Sequence, residues 1–419
     1  MKLFWMLNFL PPELSKALGL PPQASGSWVQ ALREELAVLP GAPQLVLCGY
    51  TPQVRAPQRQ VLSGTACLAL PAAGGKQALA RALAEERPDL VLLFGTESEH
   101  ALWVLECFDP ARILVYIQGL AGPCGQHMAD GLPPRFLRRQ PFKEALAGRT
   151  GGATVRQLAA RLTARGEREK QVLALARHVL GRTGWDKAYC EQHAPAAQYY
   201  PLGEILRQPF YAGGWRRQGC IPHRIFVSQG NLPLKGLHRA IEALPALLRV
   251  FPDAALFVAG WPPPDKGPLL RPAMRWLAEY PGYLAALAGR LGVADRVHYT
   301  GVLDADAMRK EFLKSETYLL CSSIENSPNS LGEAMLLGMP CAAGAVGGVP
   351  SLLTHGAEGV LFDPEAPGAL AAAMAGLWSD PARADALGAA ARSRALADHN
   401  GPAIAAQLLA ICRQVLAGL

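Results

Sequence analysis

Glu325 and Glu333 stand eight positions apart in the segment SSIENSPNSLGEAMLLGMPCAAGAVGGVPSLLTHGAEGVLF. Its pattern predicts a strand ending near Ser322 and a helix beginning near Ser330, which puts Glu325 in the loop and Glu333 in the first helical turn. A first turn leaves backbone N–H donors unpaired and its dipole favours negative charge, so a pyrophosphate can sit there. Carboxylates on either side would accept hydrogen bonds from sugar hydroxyls, as an acidic residue does on a ribose. Asn326, Ser327, Asn329 and Ser330 add neutral donors, and Leu331 belongs to the same run. Lys235, in SQGNLPLKGLH, closes the loop after another strand, where an ammonium would neutralise phosphate without a metal. Each has a plainer reading alone: a solvated helix-start lysine, two surface carboxylates, and Gly347 and Gly348 as a positive-φ turn.

These groups need elements to hold them. Apolar runs begin at Leu3, Gln44, Leu90, Ile113, Arg224, Ala255 and Thr317, and read as strands covered on both faces. Helical spacing fills segments such as those from Ser27, Gly236 and Asp306, so strands and helices alternate as in parallel α/β sheets. The expected fold is α/β: two Rossmann-like, doubly wound domains facing a central cleft. The expected domains are 1–210 and 211–400, with a helix over 401–419 packing back on the first. In open parallel sheets ligands bind beyond the carboxyl ends of the strands, which points to the loops after Leu7, Ile117, Val227, Val258 and Leu320.

Composition narrows the classes. A chain of 419 residues that is 50% hydrophobic and 18% charged folds, and its 42 Gly and 35 Pro follow no period, which excludes collagen-like, coiled-coil and disordered classes. The net charge of +7 (41 basic minus 34 acidic residues) favours anionic partners. Nine cysteines without a CxxC pair read as reduced thiols in a cytoplasm, and nine histidines without HxxxH or HExxH predict no structural metal, leaving only carboxylate sites open. The opening MKLFWMLNFLPP reads as a buried strand, since Asn8 and two prolines replace a cleavage site. The uncharged stretch 334–354 contains too many Gly and Pro residues to span a membrane. PPRFLRRQPFK, with Arg135, Arg138, Arg139 and Lys143 around Phe136 and Phe142, reads either as a peripheral contact with an anionic membrane or as a solvated loop.

ENSPNSLGE resembles the E-x7-E signature of the retaining glycosyltransferase family 4, and GGVPSLLTHGAEGVLF resembles its GG-x-P and downstream segment. VSQGNLPLKG and, more weakly, NFLPPELSKALGLPPQASGSWVQAL extend the likeness over most of the chain. The resemblance implies a GT-B fold, with a nucleotide-sugar donor held mainly by the second domain and a glycan or lipid-linked acceptor by the first. It implies Glu333 on the ribose, Glu325 on hydroxyls of the transferred sugar, Lys235 on the diphosphate and Gly26 at a phosphate-facing helix start. It also implies no metal or other cofactor, front-face displacement assisted by the departing phosphate, and surface polysaccharide or glycolipid assembly, in the cytoplasm or on the inner membrane face. Three positions depart from the family pattern: Gly230 replaces an arginine, Gln118 stands where a donor-pocket histidine is common, with His127 as a substitute, and Gly26 is followed by Ser27 rather than a second glycine.

The alternatives are a non-catalytic nucleotide-sugar or nucleic-acid binding protein and a dinucleotide oxidoreductase. Only short Arg clusters, at Arg138 and Arg216, stand where a nucleic-acid module needs an extended basic surface, and no GxGxxG follows the first strand.

Overall fold

The computed structural model describes residues 1–21, 27–149, 152–263 and 279–419. Their contacts divide into two compact units: residues 1–122, 164–206 and 399–419, and residues 123–163 and 207–398. The chain leaves the first unit at Leu206, near the boundary expected at 210. Residues 123–163, expected with the first domain, cluster instead with the second unit. Val155 N–H donates to Glu279 at 2.6 Å, and Gly131 packs against His238 so closely that a Cβ would lie 2.6 Å from its Nε2.

The first unit is built on β1 (Lys2–Met6), β2 (Gln44–Thr51), β3 (Gln58–Leu62), β4 (Thr65–Pro71), β5 (Leu90–Phe94), β6 (Ile113–Tyr116), β7 (His178–Gly181) and β8 (Gln198–Pro201). They order as β3-β4-β2-β1-β5-β6-β7-β8, all parallel except the β3–β4 pair. Helices cover the faces, which is why LFWM of β1 is buried throughout and Trp5 meets Phe94 edge to face at 5.4 Å. MKLFWM is thus a central strand. The helix Gly401–Ala417 belongs to this unit and packs on Ser27–Ala37, capped by Asn400, which accepts from Ala403 N–H at 2.9 Å.

The second unit carries β9 (Ile221–Val227), β10 (Ala255–Val258), β11 (Val297–Tyr299), β12 (Ser315–Leu320), β13 (Cys341–Gly344) and β14 (Val360–Phe362), ordered β11-β10-β9-β12-β13-β14 and wholly parallel. Its core sets Phe226 edge-on to Phe312 at 4.8 Å and Phe312 tilted against Tyr318 at 5.1 Å. Successive crossovers leave β9 toward β10 on one side and β12 on the other. The sheet's switch point therefore lies between β9 and β12, where their two following loops must meet.

The uncharged stretch 334–354 resolves into the end of helix Asn329–Leu337, strand β13 and the short helix Val349–Leu352. No helix among the described residues is long and apolar enough to cross a membrane. Within PPRFLRRQPFK, Phe136 is buried edge-on against Tyr283 at 5.3 Å, and Lys143 is buried 3.6 Å from Glu279. The surface-contact reading included both, but folding uses them internally and leaves Phe142, Arg138 and Arg139 exposed. All nine cysteines are free thiols.

Candidate functional site

The loop after β9 ends in a single 3-10 turn, Pro233–Lys235, followed by Gly236 at φ +69°. A Cβ on Gly236 would lie 1.8 Å from the Cys321 carbonyl oxygen, so only glycine lets this loop touch the loop after β12. Two bonds close the contact: Ser323 N–H donates to Leu234 O at 2.8 Å, and the Cys321 thiol to Lys235 O at 3.3 Å. Burial pushes that thiol up to about 12, which keeps its proton in place as the donor.

With the loops so joined, Lys235 Nζ donates to Glu325 Oε1 at 2.6 Å, and Ser322 Oγ donates to the same oxygen at 2.7 Å. The Glu325 carbonyl accepts from Gly348 N–H at 2.9 Å, while a Cβ on Gly347, at φ +51°, would fall 2.1 Å from that carbonyl. The paired glycines thus do more than turn the chain: they let its backbone close on Glu325. Behind the pair, the buried Tyr318 hydroxyl donates to Ser330 Oγ at 2.7 Å and lies 3.1 Å from Ser228 Oγ. Burial holds the Tyr318 pKa far above its ordinary value. Ser228, Lys235, Tyr318, Ser322, Glu325 and Ser330 line a small cavity of about 20 Å³.

The helix Asn329–Leu337 opens directly after this loop. Pro328 is its N-cap, no side chain caps it and its first turn holds no acidic residue. Starting at Asn329 rather than Ser330 places Glu333 in the second turn, which corrects the first-turn expectation. The amide run expected to be free is also partly used: Leu331 and Gly332 N–H both donate to Pro328 O, at 3.0 and 3.3 Å. Asn326 and Leu331 are buried, Ser327 and Ser330 half-buried and Asn329 exposed.

Glu333 is buried, and both its oxygens are held by one guanidinium: Arg207 Nε donates to Oε1 at 2.5 Å and Nη2 to Oε2 at 2.6 Å. Arg207, just before the boundary expected at 210, carried no signal in the sequence, and Tyr318 and Ser228 read there only as strand residues.

Glu325, Glu333, Lys235, Asn326, Ser327, Asn329, Ser330 and Leu331 all lie in the second unit, as does His127, whose Nδ1 is 2.6 Å from Asp130. Gln118 lies in the first unit. Its carbonyl accepts from buried Arg182, and its side-chain Nε2 is buried with no hydrogen-bond partner among the described residues. Gly26 lies outside the described residues. At Gly230 a Cβ would come within 2.5 Å of Leu237 and 2.7 Å of Val258, so this backbone has no room for the arginine that the family pattern puts there. Among the described residues, no group of three or more His, Cys, Asp or Glu side chains could hold a metal ion.

Residues 222–394 match the family model described as glycosyl transferases group 1. Over 172 residues the chain is 31% identical to the GDP-mannose-dependent alpha-(1-6)-phosphatidylinositol monomannoside mannosyltransferase of Mycolicibacterium smegmatis, a match covering 39% of this chain and 41% of that one. The chain likewise spans less than half the length of the other curated relatives most similar to it. Among solved structures it resembles sucrose-phosphate synthase (tll1590) from Thermosynechococcus elongatus, with a TM-score of 0.71 at 18% identity over 100% of both chains. It also resembles Anabaena Alr3699/HepE in complex with UDP-glucose, with a TM-score of 0.63 at 15% identity over 100% of both chains. The chain therefore has the two Rossmann-like α/β domains of the GT-B fold, and its residues 222–394 are similar to the glycosyl transferases group 1 family.

Proposed function

We propose that this chain is a metal-independent, retaining glycosyltransferase that moves a sugar from a nucleoside-diphosphate-sugar to a glycan or lipid-linked acceptor. The observation that carries the reading is the Lys235–Glu325 pair, set at the sheet's switch point beside a helix N-terminus without a side-chain cap. The diphosphate draws the Lys235 ammonium and the first-turn amides, Glu333 receives the ribose, and Glu325 turns to hydroxyls of the transferred sugar. Ser330, held by Tyr318, supplies a neutral donor near the phosphates. The neutral residues Asn326, Ser327, Asn329 and Leu331 complete the donor set of the second unit.

In the transfer step the bond from the anomeric carbon to the β-phosphate oxygen breaks, and the acceptor hydroxyl oxygen bonds to that carbon on the same face. The hydroxyl proton passes to the departing phosphate oxygen, and nucleoside diphosphate leaves. Charge grows on the leaving group as the bond breaks, so fixed donors aimed at it stabilise the transition state, each by roughly 3 kcal/mol. Glu325 orients the donor and forms no covalent bond.

The curated relative named for GDP-mannose and a phosphatidylinositol mannoside, and the structure solved with UDP-glucose, support a nucleotide-sugar donor and a glycan or glycolipid acceptor. This suits surface polysaccharide or glycolipid assembly at the cytoplasmic membrane face, where exposed Phe142, Arg138 and Arg139 would meet anionic lipid. Turnover measured with a panel of nucleoside-diphosphate-sugars and candidate acceptors tests the reading. Release of nucleoside diphosphate coupled to an α-configured product from an α-configured donor supports it, and binding without turnover of any donor rejects it.

A further inference from the structure

Arg207 opens the longer segment of the second unit, 207–398, just before the 3-10 turn Gln208–Phe210. Its fork fills both oxygens of Glu333, at 2.5 and 2.6 Å, the two-point geometry in which a guanidinium holds a carboxylate most firmly. From the other side its plane lies 4.9 Å over the ring of Phe210, which is itself fully buried and packed edge-on against Phe312 at 5.6 Å. The Glu333 side chain keeps only 2% of its surface exposed, whereas Arg207 keeps 29%. The carboxylate is enclosed, and its partner is the part of the pair that has solvent to move into.

The proposed function gives the same two oxygens to the vicinal hydroxyls of a ribose. A diol and a guanidinium fork approach a carboxylate along the same two lone-pair directions, so one excludes the other. We infer that Arg207 competes with the donor ribose for Glu333 and must release that carboxylate before the nucleotide is fully bound. This inference rests on the placement of Glu333 in the nucleotide site. It makes Arg207 a determinant of donor affinity: the observed dissociation constant is the intrinsic one divided by the fraction of molecules in which the pair is open. It also gives the unopened enzyme a reason to favour ribonucleotides only weakly over deoxy analogues, because recognition of the diol begins by breaking an ion pair.

The test is calorimetric titration of the full chain with UDP and GDP and with their 2′,3′-dideoxy counterparts, in wild type, Arg207→Met, Arg207→Lys and Glu333→Gln. Arg207→Met is expected to tighten binding of the better ribonucleotide by about tenfold while leaving its dideoxy counterpart unchanged. Arg207→Lys loses the fork but keeps the charge and is expected to gain about threefold, which serves as the test if the methionine variant fails to fold. Glu333→Gln should weaken the ribonucleotide toward the dideoxy value. Weaker ribonucleotide binding by Arg207→Met, or equal gains for ribo and dideoxy forms, overturns the inference and makes Arg207 a direct or purely electrostatic donor contact. Unchanged affinity in the arginine variants with a loss in Glu333→Gln overturns the competition while keeping Glu333 in the site. Unchanged affinity in Glu333→Gln removes the placement of Glu333 itself.

Discussion

The Lys235 ammonium lies 2.6 Å from Glu325 Oε1, bridging the loops that follow β9 and β12. Because Ser322 donates to the same oxygen at 2.7 Å, one carboxylate oxygen takes two donors. The pair is partly exposed, with 21% of the Lys235 side chain and 11% of that of Glu325 open, so an incoming diphosphate can redistribute these bonds without unpacking the core. Replacing Glu325 by Gln keeps its shape but weakens an acceptor to sugar hydroxyls. Nucleoside diphosphate affinity should stay within about twofold while kcat for sugar transfer falls by roughly a hundredfold, as measured by steady-state kinetics. Undiminished kcat contradicts the role of Glu325.

Gly236 is the hinge of this geometry. Alanine there meets the Cys321 carbonyl and must adopt a positive φ, so Gly236→Ala should lose about 3 kcal/mol in urea unfolding and lower transfer as Lys235 leaves Glu325. Wild-type stability with wild-type turnover would show that the loops do not need this close approach.

Restoring the arginine of the family pattern should damage this chain. Gly230→Arg has to displace Leu237 and Val258, both buried, and the expected result is a melting temperature lower by several degrees with no gain in diphosphate affinity. Tighter diphosphate binding at unchanged melting temperature would show that the site accepts a second cation there.

A pH effect follows from Glu169, fully buried in the first unit, which accepts from Thr96 Oγ1 at 3.1 Å and Ala121 N–H at 3.0 Å. Burial pushes its carboxyl up to about 7, against the opposing bonds from Ala121, Thr96, Tyr189 and Gly122. The folded pKa exceeds the ordinary 4.5, so the folded state binds the proton more tightly, and stability present at low pH is lost as pH rises from about 4.5 to about 7. The loss is about 3 kcal/mol at most. Unfolding free energies from pH 5 to 8 should therefore fall more steeply in wild type than in Glu169→Gln; parallel curves would contradict this.

Much of this site was legible in the chain. Glu325, Glu333 and Lys235 declared themselves because each follows a buried apolar run at a loop or helix start, where strand ends gather ligands. The apolar runs also marked seven strands. The rest was set by contacts distant in sequence. The edge strand β3, QRQVL, has little burial to give it an apolar signal, and the segment 123–163 joined the second unit through partners such as Glu279 and His238 that no local periodicity announces. Glu333 falls in the second turn because the helix, capped at Pro328, starts one residue earlier than expected, and proline at a cap carries no side-chain bond to betray it. Arg207 stayed hidden for a similar reason: its partner lies 126 residues away.

The central claim is that Lys235 and its neighbouring loops receive the diphosphate of an activated sugar. Calorimetric titration of a nucleoside diphosphate into wild type and Lys235→Ala tests it most directly. The account predicts that the variant, folded and of unchanged melting temperature, binds at least about tenfold more weakly and transfers sugar correspondingly more slowly. Equal affinity in the two proteins would contradict it.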